Sequence, residues 1–321
     1  MTLRSFCTIM DRNYLTRGLA LYDSLKAHCP AYELFVLCMD QPTWAILEAL
    51  ALQGLRLVSF KELAVDRLRQ ATQDRNVKER SVTCKSVLMR WLFHRHADLA
   101  LLSYVDSDLF FFADPAPLFD LLAAGSVSLT EHRFPARLEP TTSQDCGFYN
   151  GGWVGIRRDE QGLRCLEAWY EQCLAWCYDR IEDEKYGDQK YLDAWPQQFG
   201  GVVVLHHKGA NLAPWNVENY RIRLRHQQVL VDEIPLIFYH FSSLRQVAPW
   251  LYQSGLMLPA QGALRAVVYR PYVRTLRRWE GRIGHYQEPD YGFRTSWRGS
   301  VDILRHLWSG RLLLKMPGYF W

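Results

Sequence analysis

Asp106 and Asp108 flank Ser107 at the end of an almost wholly apolar run, Leu99 to Val105, and four apolar residues, Leu109-Phe110-Phe111-Phe112, follow them. The run before the pair reads as a buried strand. Side chains two apart on extended chain point to the same face, so both carboxylates aim at one spot. Two like charges that close repel by about 1 kcal/mol in water and several-fold more where solvent is excluded. A divalent cation with oxygen ligands removes that cost. An isolated D-x-D is more often a solvated strand end. Here the apolar flanks and the position favour a metal site, because the carboxyl ends of strands in open α/β sheets are where ligands bind.

Other polar and titratable residues stand out along the chain. Asn150-Gly151-Gly152 lies in a glycine-rich turn; glycine lets backbone approach a ligand closely and also serves a tight turn. Asp188 and Gln189 sit in a polar segment after a long helical stretch. His206-His207 and His240 each end an apolar run, where a histidine is more often a packed or hydrogen-bonded residue than a ligand. Lys85 falls on a helix preceding the Asp106 strand, as a cation for the site or as a solvated lysine. Asp11, Asn13 and Tyr14 form a turn after the first strand, where Asp and Asn also stabilise the turn itself.

The elements that must position these residues alternate. Arg4 to Met10 predicts a strand, Tyr14 to His28 a helix with Leu15, Leu19, Tyr22 and Leu25 on one face, and Glu33 to Met39 a buried strand. Thr43 to Leu52 predicts a helix and Leu55 to Phe60 a third strand. This β-α-β-α-β opening predicts a nucleotide-binding half-sheet. The chain has neither G-x-G-x-x-G nor a P-loop, which argues against dinucleotide or ATP sites of those kinds. Residues 61–80 read as a polar, flexible connection, with Ser81 or Thr83 capping the helix that carries Lys85. Residues 133–146 read as loop. Leu163, Leu166, Tyr170, Cys173 and Cys177 mark a long amphipathic helix, and Val202–Leu205 and Leu236–Tyr239 the last strands.

With 321 residues and 49% apolar composition, the chain suits one large domain, or one domain with an appendage. None of the eight cysteines forms C-x-x-C, and Cys165, Cys173 and Cys177 share an apolar face, which predicts reduced core thiols in a cytosolic protein. There is no basic-then-apolar leader and no run of 18 apolar residues, so neither an export signal nor a membrane span is expected. The net charge of +4 is uneven: residues 264–321 hold eleven Lys+Arg against four Asp+Glu.

Five motifs in order, D-R-N-Y (11–14), D-S-D (106–108), F-Y-N-G-G (148–152), G-D-Q (187–189) and F-Y-H-F (238–241), make residues 3–245 resemble the retaining family 8 glycosyltransferases, which include bacterial lipopolysaccharide sugar transferases. The resemblance implies an α/β protein of the GT-A fold: a Rossmann-like, nucleotide-binding mixed sheet flanked by helices. It further implies transfer of a sugar from a nucleotide-sugar donor, UDP-sugar first, to a glycan or lipid-linked glycan, with retention of anomeric configuration. By resemblance Asp106, Asp108 and His240 hold Mn²⁺ or Mg²⁺, with His206 and His207 as competitors for the imidazole. Asp11, Asn13 and Tyr14 meet the base and ribose, while Lys85, Asp106, Ser107, Asn150, Gly151 and Gly152 reach the donor. Asp188 contacts the donor sugar, and Gln189 lies beneath its anomeric carbon. The chain departs from the family after His240. A glycine and a diphosphate-gripping lysine are expected there, and the sequence reads Phe241-Ser242-Ser243-Leu244-Arg245; Ser243 or Arg245 is the expected substitute. Asn211 to Asn216 is expected to form a substrate-side loop.

This divides the chain into a catalytic domain, 1–250, and a helical, basic, aromatic-rich extension, 251–321. Arg270, Arg274, Arg277 and Arg278 alternate there with Tyr269, Tyr272 and Trp279, and Trp297, Trp308 and Trp321 follow. That mixture suits an anionic membrane surface, and hence a cytoplasmic protein peripheral to the membrane; no nucleic-acid module is present. Helices packed on the domain with a basic outer face are the plainer alternative. Two other functions remain open at this level: a D-x-D metal-dependent phosphohydrolase, which normally places its pair near the N-terminus with a small hydroxyl residue after it, and a non-catalytic binding protein of the same fold.

Overall fold

A computed structural model describes residues 3–63, 66–248, 251–257, 262–284, 312–316 and 319–320. The first half-sheet follows the expected alternation: β1 (Arg4–Met10), α1 (Leu15–His28), β2 (Tyr32–Cys38), α2 (Gln41–Leu50) and β3 (Leu55–Ser59). These strands pair in parallel. All but the first residue of β1 and of β2 are buried, as a strand covered on both faces requires. Asp40 caps α2 by accepting from the Thr43 backbone N–H, and Pro42 stands in its first turn.

Residues 61–80 correct the expectation of a flexible connection. They hold α3 (Phe60–Leu63), α4 (Asp66–Ala71) and the start of α5 (Val77–Arg95). The cap of α5 is Asn76, not Ser81 or Thr83: its side chain accepts from the Glu79 N–H while the Glu79 carboxylate accepts from the Asn76 N–H. The helix therefore begins a turn earlier and carries Lys85 inward, with Thr83, Cys84 and Ser86 buried beside it.

The chain then makes β4 (Leu101–Val105), β5 (Leu109–Phe111), α6 (Ala116–Leu122), β6 (Val127–Glu131), a short α7 (Thr141–Cys146) within the expected loop, β7 (Tyr149–Arg157), α8 (Glu160–Ala175), α9 (Trp195–Gln198) and β8 (Val202–Val204). The main sheet has seven strands in the order β3-β2-β1-β4-β7-β6-β8. It is mixed, because β7 runs antiparallel to both β4 and β6. Side chains alternate across it. Cys7 and Ile9 of β1 join a core with α5 and α8, where Cys165, Cys173 and Cys177 are buried. Phe6 and Met10 join a second core with α1 and α2.

After β8 comes a three-stranded antiparallel sheet that the sequence reading did not anticipate: β9 (Ile222–Arg225), β10 (Gln228–Val231) and β11 (Ile234–Pro235). Its turns place His226, Gln227, Asp232 and Glu233 at positive φ. The next strand, β12 (Phe238–His240), pairs antiparallel with β5, and its register sets His240 opposite Leu109.

Beyond residue 244 the described chain is not helical alone. β13 (Arg245–Ala248) and β14 (Leu251–Gln253) precede α10 (Gly262–Leu264), a π-helical turn and α11 (Arg270–Ile283); β15 (Leu312–Met316) and β16 (Tyr319–Phe320) then complete a four-stranded sheet with them. The apolar positions of α11 recur at helical spacing and face inward. Trp279 and Ile283 enter the core that holds Phe6 and Trp153, and Tyr269, Tyr272 and Leu276 pack with Tyr239 and Phe241. These aromatics do not face outward as a membrane surface would need, whereas Arg274, Arg278 and Arg282 are exposed. Trp297, Trp308 and Trp321 lie outside the described residues. Among the described residues no helix is long and apolar enough to cross a membrane.

Trp279 is 3% exposed, and its indole N–H donates to Asp23 of α1. Trp279→Ala should therefore cost about 3–5 kcal/mol, the usual penalty for removing a buried Trp. Urea unfolding measures it; a loss below about 1 kcal/mol would mean that α11 is laid on the surface rather than built into the core.

Candidate active site

The turn between β4 and β5 is tied at both ends. The Asp106 N–H donates to Gly152 O of β7 at 2.9 Å, and the Leu109 N–H to Asp106 O at 3.1 Å. The Phe241 N–H donates to Asp108 O at 2.9 Å, which clamps the end of β12 onto the same turn. In consequence Asp106, Asp108 and His240 each offer a ligand atom within 4.8 Å of the others. His240 Nε2 lies 3.1 Å from Asp108 Oδ1 and 3.7 Å from Asp106 Oδ2. Two carboxylate oxygens and one imidazole nitrogen are a donor set that fits Mn²⁺ or Mg²⁺. His206 is exposed and bonds Glu131 at 3.2 Å; neither it nor His207 lines the cavity described below. Burial alone would raise the Asp108 carboxyl, but the facing His240, the hydrogen bond between them and Arg17 hold it below its ordinary value. Burial alone would lower His240, and the Asp108 carboxylate, with Asp106 behind it, raises it instead.

Lys85 joins this cluster to a third carboxylate. Its Nζ lies 3.1 Å from Asp106 Oδ1 and 3.2 Å from Asp188 Oδ2, and donates to Gly151 O at 3.0 Å. Its side chain is 6% exposed, which rules out a solvated lysine. Burial works against its charge, yet the two carboxylates raise it further. Tyr104, one turn of the pleat before Asp106, donates its hydroxyl to Asp106 Oδ1 at 2.8 Å. Gly151 and Gly152 are glycine because these groups crowd them. A Cβ at Gly151 would lie 2.7 Å from Asp188 Oδ2, and one at Gly152 would lie 2.7 Å from both Asn150 Oδ1 and His240 Cε1.

Asp188 and Gln189 follow Gly187, whose φ is +53°, and lead into a 3-10 turn, Lys190–Ala194. The Trp169 indole N–H donates to Asp188 O at 2.9 Å, fixing the segment to α8. Burial raises the Asp188 carboxyl, Lys85 opposes that, and Asp106 adds to it. Gln189 donates from Nε2 to Cys146 O at 2.8 Å.

Asn150 stands on the other side of His240. Its Oδ1 accepts from the Gly152 N–H at 3.0 Å and lies 3.2 Å from His240 Nδ1, while its Nδ2 lies 3.1 Å from His132 Nε2. His132 Nδ1 lies 2.9 Å from Gly147 O. Burial pushes the His132 imidazole down to about 3.

A cavity of about 630 Å³ opens over these groups. It is lined by Asp11, Asn13, Tyr14, Lys85, Asp106, Ser107, Asp108, Asn150, Asp188, Gln189 and His240 among the residues singled out from the sequence. Trp215, from the expected substrate-side loop, joins them. Ser243 and Arg245 do not: Ser243 takes left-handed backbone at φ 62° and Arg245 starts β13, and Ser242 lines the cavity in their place. The sequence reading also missed Tyr104, His132 and Phe134, which line the cavity, and Arg17, whose guanidinium stacks 4.3 Å from the Tyr14 ring and donates to Leu244 O at 2.7 Å. Only their places at strand ends and on the first helix could have drawn attention to them, since no local motif contains them.

No family model matches the chain. It is 32% identical over 291 residues to YfnD, an uncharacterized protein of Bacillus subtilis (strain 168), spanning 88% of this chain and 92% of YfnD. YfnF of the same organism, also uncharacterized, is 32% identical over 252 residues, spanning 76% of this chain and 82% of YfnF. Among solved structures, that of the galactosyltransferase LgtC in complex with donor and acceptor sugar analogues superposes with a TM-score of 0.55 at 17% identity, spanning 87% of this chain and 99% of LgtC. The bifunctional glycosyltransferase WbbM superposes with a TM-score of 0.52 at 15% identity, spanning 90% of this chain and 52% of WbbM. At those identities the likeness is one of fold, and the fold is the GT-A fold expected from the five motifs.

A pH dependence follows from His132. The unfolded chain binds a proton on this imidazole near its ordinary value of 6.5, and the folded chain only near 3. The unfolded state thus holds more protons between those values, so stability rises with pH there and is lost on acidification. His132→Gln removes the contribution. From pH 6.5 to about 4 the wild-type chain should lose about 2–3 kcal/mol more than the variant in urea unfolding. Equal losses would mean that the imidazole is not held neutral.

Proposed function

Because the chain belongs to the family of YfnD and YfnF and has the GT-A fold, we propose that it is a glycosyltransferase moving a sugar from a nucleotide-sugar donor to a glycan. The observation that carries this reading is the convergence of Asp106, Asp108 and His240 ligand atoms within 4.8 Å, at a cavity that Asp188 and Gln189 also line. Mn²⁺ or Mg²⁺ bound by those three side chains would supply Lewis-acid stabilisation of a diphosphate leaving group.

The chain's own residues then take these roles. Asp11, Asn13 and Tyr14 hold the base and ribose, uridine first. The Asp11 carboxylate accepts from the Asn13 and Tyr14 backbone N–H groups, which makes that turn rigid before the donor arrives. Ser107 and Ser242 reach the diphosphate side. Lys85 fixes Asp106 and Asp188 relative to one another, and Asp188 binds the donor sugar. Gln189 offers an amide oxygen to the positive charge that develops at the anomeric carbon. An amide is a poor nucleophile, so attack by the acceptor hydroxyl on the face that the phosphate leaves accounts for retention without a covalent adduct. Trp215, Phe134 and Tyr186 supply aromatic surface for a sugar at the mouth. A lipid-linked acceptor met at the cytoplasmic face of a membrane draws support from the exposed Arg274, Arg278 and Arg282 alone, as basic groups near anionic lipid.

Two measurements test the proposal. UDP with Mn²⁺ should raise the melting temperature of the wild-type chain, since a ligand selective for the folded state stabilises it. The Asp106→Ala, Asp108→Ala double variant should lose that response, and an unchanged shift would remove the metal-donor site. Gln189→Ala should keep the shift and lose at least tenfold in kcat for transfer or donor hydrolysis, because its contact is made in the transition state. A smaller loss would place Gln189 away from the reacting carbon.

A further inference from the structure

Resting on the metal-site reading above, we infer that His132 is a positioning residue: through Asn150 it holds His240 in the tautomer that turns Nε2 toward Asp106 and Asp108. Two backbone groups of fixed polarity anchor the chain of hydrogen bonds. Gly147 O only accepts, so His132 Nδ1, 2.9 Å away, carries the proton. The Gly152 N–H only donates, so the Asn150 atom 3.0 Å from it is Oδ1, and the amide nitrogen faces the other way. That nitrogen donates to His132 Nε2 at 3.1 Å, which must be a bare lone pair. The same Oδ1 lies 3.2 Å from His240 Nδ1, and an amide oxygen only accepts, so His240 carries a proton on Nδ1 whether or not Nε2 also holds one against Asp108.

His240 Nε2 is then the nitrogen left to serve the carboxylate pair, as metal-ligating histidines require of the group behind them. Every link is buried: His132 is 4% exposed, Asn150 6% and His240 5%. The His132 imidazole, held neutral by burial, keeps its accepting lone pair across the ordinary pH range. Trp215 holds both rings in place. Its ring packs edge to face against His132 at 5.4 Å and His240 at 5.2 Å, and its indole N–H donates to His132 O at 2.9 Å. His132 has no hydrogen bond to either carboxylate, and its polar link to His240 runs through Asn150.

The test has two arms. In the first, long-range ¹H–¹⁵N correlation of the metal-free, ¹⁵N-labelled full chain reads the imidazole protons, with His132→Asn and His240→Gln used for assignment. His132 should be neutral with its proton on Nδ1, and His240 should keep a proton on Nδ1 whatever its charge. A proton on His132 Nε2, or a neutral His240 protonated on Nε2, overturns the inference whether or not a metal binds.

In the second arm, free Mn²⁺ is titrated by electron paramagnetic resonance with UDP present. His132→Gln can place its amide oxygen where Nε2 was and should bind Mn²⁺ like wild type. His132→Asn is too short to reach Asn150 and should bind about tenfold more weakly, the lower end of what losing such a supporting bond costs. In a His240→Ala background, His132→Asn should add nothing further. Equal behaviour of the two His132 variants, or the same tenfold loss without His240, would make His132 a packing residue only. Failure of the wild-type chain to take up Mn²⁺ would instead overturn the metal-site reading, while the first arm still decides the tautomers.

Discussion

The site depends on burying three carboxylates together. Asp106, Asp108 and Asp188 have side chains 24%, 9% and 6% exposed, and charges of one sign set so close together with so little water are costly unless opposite charge stands beside them. Lys85 stands between Asp106 and Asp188, and His240 between Asp106 and Asp108. Buried ion pairs of this kind add little net stability, because desolvation consumes most of the attraction, but removing one partner is costly. The cluster is therefore better understood as a device for holding charges at set positions than as a source of stability.

Most of the fold follows from supplying those two cations and the glycines that make room for them. The Asn76–Glu79 capping box starts α5 early enough to carry Lys85 under the sheet. The β5–β12 pairing delivers His240 from a point more than a hundred residues downstream. The antiparallel β7 brings Gly151 and Gly152 across the end of β4, close enough that Gly152 O takes the Asp106 N–H. α11, which in sequence belongs to a distinct basic segment, closes the back of this arrangement: Tyr272 stacks on Phe241 at 3.7 Å, directly after His240.

What was legible in the sequence was local. The apolar run into Asp-Ser-Asp, the polar Gly-Asp-Gln segment and the apolar run into His240 each announce a strand or helix end with chemistry on it, and these groups converge. Asn76 went unread as a cap because Ser81 and Thr83 lie nearer Lys85 in sequence, although Asn with Glu three residues on is an equally good signal. The β9–β11 sheet was missed because its turns use His226-Gln227 and Asp232-Glu233 at positive φ, residues that do not announce a hairpin as Asn-Gly would. His132 was invisible for a different reason. Its role comes from Gly147, Asn150 and Trp215, and only folding brings those together. In the tail basic and aromatic residues alternate in sequence, and on the described helix Tyr272, Leu276 and Trp279 fall on one side and Arg274, Arg278 and Arg282 on the other, a separation visible only once the helix is drawn.

The central claim is that Asp106, Asp108 and His240 hold a divalent cation against the donor diphosphate. Crystals grown with MnCl₂ and UDP, measured at the manganese absorption edge, test it most directly. The account predicts one strong anomalous peak within about 2.0–2.3 Å of a carboxylate oxygen of each aspartate and of His240 Nε2, with diphosphate oxygens completing the shell. A UDP molecule bound in the cavity with no anomalous peak at those three side chains, or with the peak on other residues, would contradict it.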